Sequence, residues 1–172
     1  MIAVDTSILV HAHRADSPWH AAAAGAIQQL AETARWAIPW ACLHEFYGVV
    51  THPRVFRPPS TMAQALTQID LWCESPGLVL IGETDQHLPA LRDVVTAGKL
   101  TGPAIHDARI AAVCLQHGVQ ELWSADRDFA RMPALRVRNP LVPGQAREPR
   151  ARYAVGATRR RSPARAPVSA RR

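Results

Sequence analysis

The feature that most constrains the fold is the alternation of short apolar runs with longer amphipathic segments. The runs predict strands at residues 2–5, 36–38, 78–81, 121–124 and 135–137. The segments between them predict helices from residue 7 onward and over 18–34, 41–50, 60–74, 84–97 and 103–117. Strands joined by crossovers this long pair in parallel, and continuous apolar strands are buried on both faces. The pattern therefore predicts an α/β domain in which helices cover both faces of a parallel sheet.

Local sequence signals place several helix ends. Ser17 and Pro18 are suited to open the second helix, and Ser60 to cap the fourth. Gly98 and Gly118 follow amphipathic stretches at the position where a left-handed residue commonly ends a helix.

The positive charge of the chain is confined to one end. The whole sequence has a formal charge of +6, yet residues 1–144 contain 11 basic against 13 acidic side chains. Residues 145–172 contain nine arginines and one acid, Glu148. This tail has few large apolar residues, so we expect it to be disordered and residues 1–144 to form the folded domain.

Other compositional features favour a cytoplasmic protein. Cys42, Cys73 and Cys114 are widely spaced, without the pairs typical of zinc sites, so we expect reduced thiols. The N-terminal apolar run is interrupted by Asp5 and lacks a preceding basic region, which argues against a signal peptide. No apolar stretch reaches membrane-spanning length, and no glycine-rich phosphate-binding loop points to a nucleotide cofactor.

Acidic residues occupy positions where ligands bind α/β sheets. Asp5 ends the first strand, and Asp126 and Asp128 follow the fourth. Taken singly, Asp5 could cap a helix and the other two could form an Asx turn. Glu45 and Asp107 project from apolar helix stripes without a Lys or Arg three or four residues away. Helix-dipole complementation could explain each, but an unpartnered desolvated carboxylate is costly.

Considered together, these acids indicate a metal site. Gathered at one edge of the sheet they would repel one another, and a divalent cation would relieve that repulsion. Oxygen ligands without His or Cys favour Mg²⁺ or Mn²⁺. Such a site suits metal-dependent hydrolysis of a phosphodiester.

The acids lie in sequence motifs that resemble the PIN domain family, in particular the VapC-type toxin ribonucleases of type II toxin–antitoxin systems. The motifs are Asp5-Thr6-Ser7, Leu43-His-Glu-Phe46, His106-Asp-Ala-Arg-Ile-Ala-Ala112, Ser124-Ala-Asp-Arg-Asp-Phe129 and Asn139-Pro140. The resemblance implies a three-layer α/β/α sandwich with a five-stranded parallel sheet. It also implies a Mg²⁺- or Mn²⁺-dependent endoribonuclease that cuts RNA, forms a homodimer and is blocked by a small antitoxin protein. The tail at residues 145–172 has no counterpart in the family pattern.

The resemblance also assigns expected roles to individual residues. Asp5 and Asp107 match the acids that hold the principal metal. Glu45 and Asp126 match supporting acids of the catalytic site, and Asp128 matches a less regular fifth acid. The resemblance further implies that two hydroxyl side chains, Thr6 and Ser124, support the acidic site.

Two other functions remain open at the level of sequence. A phosphatase or dehalogenase-like hydrolase could use Asp5 as its nucleophile, although such enzymes have a second acid where this chain has Ser7. A non-catalytic module could instead use the acidic face to bind RNA or a regulatory partner. Stabilisation by Mn²⁺ would favour the nuclease over the binding module.

Overall fold

The sheet has five parallel strands in the order β3-β2-β1-β4-β5, in a computed structural model that describes residues 1–33 and 35–142. The strands are β1 (Ile2–Val4), β2 (Trp36–Pro39), β3 (Leu78–Ile81), β4 (Glu121–Trp123) and β5 (Val137–Arg138). The helices are α1 (Thr6–His13), α2 (His20–Thr33), α3 (Trp40–Val50), α4 (Met62–Cys73), α5 (His87–Gly98) and α6 (Ile105–Gln116). Short 3-10 helices cover Gly102–Ala104 and Asp128–Arg131.

The strand order explains the layers. The chain steps from β1 to β2 to β3 in one direction and then returns across the sheet to β4. Because crossovers between parallel strands are right-handed, this reversal places α1–α4 on one face and α5 and α6 on the other. The contacts between helices agree with this placement, because α1 packs against α2 and α3 while α5 packs against α6. The predicted α/β/α sandwich with a five-stranded parallel sheet is confirmed.

The core lies between the sheet and these helices. Trp36 and Ile38 of β2 are fully buried, as are Phe46 of α3 and Leu122 of β4. Strand β1 lies at the centre of the sheet, so its carboxyl end lies at the middle of one edge. None of the helices in the described part of the chain is long and apolar enough to cross a membrane.

Several helix ends differ from the sequence predictions. Thr61, not Ser60, caps α4 through a capping box with Gln64, because the Ser60 hydroxyl bonds His13 Nε2 at 2.9 Å. Lys99, not Gly98, has the left-handed conformation that ends α5, with φ of 49°. Gly98 is needed for another reason, since a Cβ there would approach the backbone oxygen of Arg131 to 2.8 Å.

Two further boundaries are shifted. Helix α2 begins at His20, two residues after the predicted start, and Ser17 instead forms the preceding turn by accepting the N–H of Trp19. Strand β5 covers only Val137 and Arg138 because Leu135 belongs to a turn that closes on Met132. Gly118 has the predicted left-handed conformation, with φ of 64°. The basic tail, residues 145–172, lies outside the described residues, so its disorder and the 1–144 boundary stay predictions.

Candidate active site

Asp5 lies at the centre of the carboxyl edge of the sheet. It follows β1 directly, caps α1, and donates its backbone N–H to the carbonyl of Trp123 in the neighbouring β4 at 2.9 Å. Its side chain is buried, with only 4% of its surface exposed. The helix-capping interpretation and the site interpretation therefore both apply to this residue.

The two oxygens of the Asp5 carboxylate have different surroundings. Oδ2 accepts hydrogen bonds from the Ser7 hydroxyl at 2.9 Å, the Ser124 hydroxyl at 2.7 Å and the Ser7 backbone N–H at 3.3 Å. Oδ1 is contacted by the Cys42 thiol at 3.8 Å. Burial raises the pKa of Asp5, and the hydrogen bonds from the two serines oppose that rise. One oxygen is thus fixed by the protein, while the other keeps lone pairs for a further partner.

Ser7 and Ser124 connect the loops after β1 and β4. The Ser7 hydroxyl accepts the backbone N–H of Ala125 at 2.9 Å, and the Ser124 hydroxyl accepts that of Asp126 at 3.0 Å. Ser124 was predicted as a supporting residue, whereas Ser7 was missed. Its contacts lie 117 and 118 residues away in sequence, so no local pattern could have indicated them.

Glu45 is brought to the site by α3 and held there by Thr6. The Thr6 hydroxyl donates to Glu45 Oε2 at 2.6 Å and lies 3.5 Å from the carbonyl of Cys42. Thr6 is buried at the start of α1, whereas Glu45 is exposed, so the buried hydroxyl fixes an acid that faces solvent. Both residues were selected from sequence, and the structure brings them together.

The pKa of Asp107 is raised by its surroundings. It lies half-buried in the first turn of α6, and its pKa is raised from 3.8 to about 6. Burial is the largest cause, and the neighbouring carboxylates contribute in the order Asp126, Asp5, Asp128 and Glu45. Within residues 1–33 and 35–142, no side chain forms a hydrogen bond or ion pair with the Asp107 carboxylate.

Asp126 and Asp128 occupy the loop after β4. Asp126 Oδ1 accepts the backbone N–H of Asp128 at 2.8 Å, which is the Asx turn considered at the sequence level. Both side chains are exposed. Asp126 lines the same cleft as Asp5, but Asp128 does not.

Four of the five acids line a cleft of about 240 Å³. Its acidic walls are Asp5, Glu45, Asp107 and Asp126, and Val10, His11, Val49 and Phe129 complete the lining together with Thr6 and Ser7. Sequence reasoning gave His11 no role here, because its position six residues after Asp5 in α1 becomes informative only once the helix is placed.

The residues of the cleft fit a hard divalent cation by their chemistry. They offer carboxylate oxygens without thiolate competition at the surface, and among the described residues Asp107 has no partner that would neutralise it. The carboxylates surround the cleft rather than meet at one point, since no three acidic, His or Cys side chains in the described ranges are already spaced to ligate one ion.

Comparison with known proteins identifies the fold family. The PIN domain family matches residues 2–135, which include every acid of the cleft and the whole of β1 to β4. The chain belongs to the PIN domain family. The order of acids along this PIN domain, at the ends of β1 and β4 and on α3 and α6, is the order predicted from the motifs.

Similar proteins include two mycobacterial relatives. VapC ribonuclease Mb2897 of Mycobacterium bovis is 36% identical over 142 residues, covering 82% of this chain and 96% of that protein. Ribonuclease VapC48 of Mycobacterium tuberculosis is 31% identical over 138 residues, covering 80% and 95%. Among solved structures, VapBC2 from Rickettsia felis bound to a promoter DNA fragment is similar, with a TM-score of 0.60 and 21% identity over 81% of this PIN domain chain and 98% of that chain. The resemblance inferred from the motifs is confirmed.

Proposed function

We propose that this PIN-domain protein is a metal-dependent endoribonuclease, and that it acts as the toxin of a toxin–antitoxin pair. The observation that carries the proposal is the cleft in which Asp5, Glu45, Asp107 and Asp126 lie together, where burial and the neighbouring acids raise the pKa of Asp107. The relatives named VapC ribonucleases, at 36% and 31% identity, support the choice of RNA as substrate.

Mg²⁺ or Mn²⁺ is the proposed cofactor. The principal ion would be held by Asp5, through Oδ1, and by Asp107, which has no other partner in the described ranges. Glu45 and Asp126 would support it, and Asp128, outside the cleft lining, would act through the loop or at a second ion. When bound, a hard dication polarises the scissile phosphate and makes an attacking water more acidic.

The chain's own residues would orient the reaction. Ser7 and Ser124 keep Asp5 Oδ2 fixed, which restricts the orientation of the whole carboxylate. Thr6 fixes Glu45 Oε2, which leaves Oε1 free to accept a hydrogen bond from the attacking water. Fixed carboxylates of this kind reduce the reorganisation needed to reach the transition state.

A small antitoxin protein and a second copy of the chain are the proposed partners. Relatives named as VapC ribonucleases and the fold shared with a VapBC complex support the antitoxin. Helix α4 exposes 65% of Met62 and 46% of Leu66, one turn apart, an apolar surface suited to protein contact. Light scattering of the purified chain tests the homodimer, and co-purification with the product of an adjacent small reading frame tests the antitoxin. A monomeric chain and the absence of such a binding partner would each contradict that part of the proposal.

RNA cleavage by single-site variants tests the enzymatic proposal. Total RNA is incubated with wild-type protein, Asp5→Asn or Asp107→Asn, with Mn²⁺ or EDTA, and cleavage ends are mapped. Asp93→Asn, which changes an exposed acid on α5, is the matched control. We expect discrete cuts from the wild type and Asp93→Asn with Mn²⁺ alone, and at least a hundredfold loss in the other two. Equal cutting by Asp107→Asn would contradict the assignment.

A further inference from the structure

A second pocket adjoins the acidic cleft. It has a volume of about 230 Å³ and shares Val10 and His11 with the cleft, so the two are neighbours along α1. Its other walls come from the turn between α1 and α2 and from Phe56 in the segment before α4. A polymer bound with its reacting group in the cleft would place its next unit here.

The pocket is electrically balanced, unlike the cleft. Arg14 forms a paired contact with Asp16, Nε to Oδ1 at 2.8 Å and Nη2 to Oδ2 at 2.6 Å. Its third nitrogen, Nη1, donates to the Pro58 carbonyl at 3.1 Å. Only 11% of the Arg14 side chain is exposed. An arginine that is already matched by a carboxylate is a poor phosphate ligand, so this pocket does not select for an anion.

The pocket instead offers flat and apolar surfaces. The Arg14 guanidinium covers one face of the Phe56 ring, 4.2 Å from its centroid, and the hydrogen bonds to Asp16 and Pro58 hold it in place. The ring is only partly buried and lines the pocket. Val10 and Pro18 supply apolar walls. Guanidinium planes and aromatic rings are the surfaces on which unpaired nucleobases stack.

His11 stands where the pocket and the cleft meet. Its Nδ1 lies 2.8 Å from the Ser17 hydroxyl, which also accepts the Trp19 backbone N–H at 3.1 Å. The arrangement that uses every group has the Ser17 O–H donate to Nδ1, which leaves the imidazole proton on Nε2. A neutral N–H donor at this junction suits the phosphate that joins two nucleotides.

We infer that the second pocket is a subsite for the nucleobase next to the scissile phosphate, which would stack on the part of the Phe56 ring that lines the pocket and is not covered by Arg14. The inference rests on the proposed ribonuclease function and adds a determinant of which RNA positions are cut. Phe56 acts here in substrate binding, not in the chemical step.

RNA binding by a cleavage-impaired protein tests this subsite separately from the reaction. Fluorescence anisotropy compares Asp107→Asn with Asp107→Asn/Phe56→Ala, using a short RNA and versions of it with one base removed at each position in turn. We expect the second substitution to weaken binding to intact RNA about tenfold, and to have no effect on the version lacking the stacked base. Equal affinities of the two proteins for intact RNA would overturn the inference.

Control variants separate a local effect from unfolding. Val55→Ala changes a neighbouring side chain that is 54% exposed and outside the pocket, so binding should not change. Phe56→Leu keeps apolar bulk and removes the ring, and it should weaken binding as Phe56→Ala does even if the latter loses stability. A Phe56-dependent affinity for a protein partner without any effect on RNA would assign the pocket to that partner and overturn the inference.

Cleavage assays keep the two proposals distinguishable. Val55→Ala, whose side chain lies outside the pocket, should cut RNA with Mn²⁺ at the wild-type rate, while Phe56→Ala should cut it about tenfold more slowly. RNA binding that depends on Phe56 in a chain that does not cut RNA would refute the ribonuclease and retain the subsite. RNA cleavage at the same rate in wild type and Phe56→Ala would refute the subsite and retain the ribonuclease.

Discussion

Replacing Asp107 by asparagine should stabilise the metal-free protein. The carboxylate is half-buried, lacks a partner in the described part of the chain, and has a pKa raised from 3.8 to about 6 by burial and by neighbouring acids. A group that ionises less readily in the folded state than in the unfolded state lowers the free energy of unfolding whenever it is charged. Asparagine has nearly the same shape and no charge, so it removes this cost.

The size of the effect follows from the two pKa values. The difference between 3.8 and about 6 corresponds to about 3 kcal/mol if it acts in full. Asp107 is in contact with solvent, which screens the repulsion, so we expect about 1 kcal/mol at pH 7.5. For a domain of this size that is a rise in Tm of about 3 °C.

Thermal unfolding in EDTA at several pH values measures this effect. The advantage of Asp107→Asn over wild type should be full above about pH 7, decline as the folded-state carboxyl protonates near pH 6, and be mostly gone at pH 4. Asp93→Asn, on the exposed surface of α5, should follow wild type at every pH. A Tm for Asp107→Asn at or below wild type at pH 7.5 would refute the reasoning.

Two further predictions concern packing around the site and the sheet. Ser124→Ala removes a 2.7 Å hydrogen bond to the buried Asp5, so it should lower the free energy of unfolding by about 2 kcal/mol in urea, and Ser124→Thr should restore most of it. Unchanged midpoints would show that this bond is unimportant. Gly98→Ala places a Cβ 2.8 Å from the backbone oxygen of Arg131 and should cost more than about 1 kcal/mol in thermal unfolding. Gly25→Ala, with open space around its α2 position, should stabilise by about 0.5–1 kcal/mol, and equal effects of the two would contradict the packing argument.

The acids could be predicted from sequence because their positions depend on regular structure. A residue that ends a buried strand must lie at the sheet edge, as Asp5 does, and an acid on an apolar helix stripe must face the sheet, as Asp107 does. Because the strands are all parallel, their carboxyl ends lie at the same edge of the sheet. The adjacency of β1 and β4 places the Ser124 loop beside Asp5.

The rest of the site depends on contacts between distant residues, which sequence spacing does not encode. Ser7 binds a loop 118 residues away, and His11 meets the cleft only through the placement of α1. The same limit explains the error at α4, where the Ser60 hydroxyl is bound to His13 and Thr61 takes the cap. The steric requirement for Gly98 could not be predicted for the same reason, because the oxygen that it accommodates belongs to Arg131.

The most direct test of the acidic site is a crystal structure of the protein soaked with Mn²⁺, with anomalous diffraction used to locate the ion. Our account predicts a peak within coordination distance of both Asp5 Oδ1 and the Asp107 carboxylate, and its loss in crystals of Asp107→Asn. A peak bound elsewhere, or an equal peak in the variant, would contradict it.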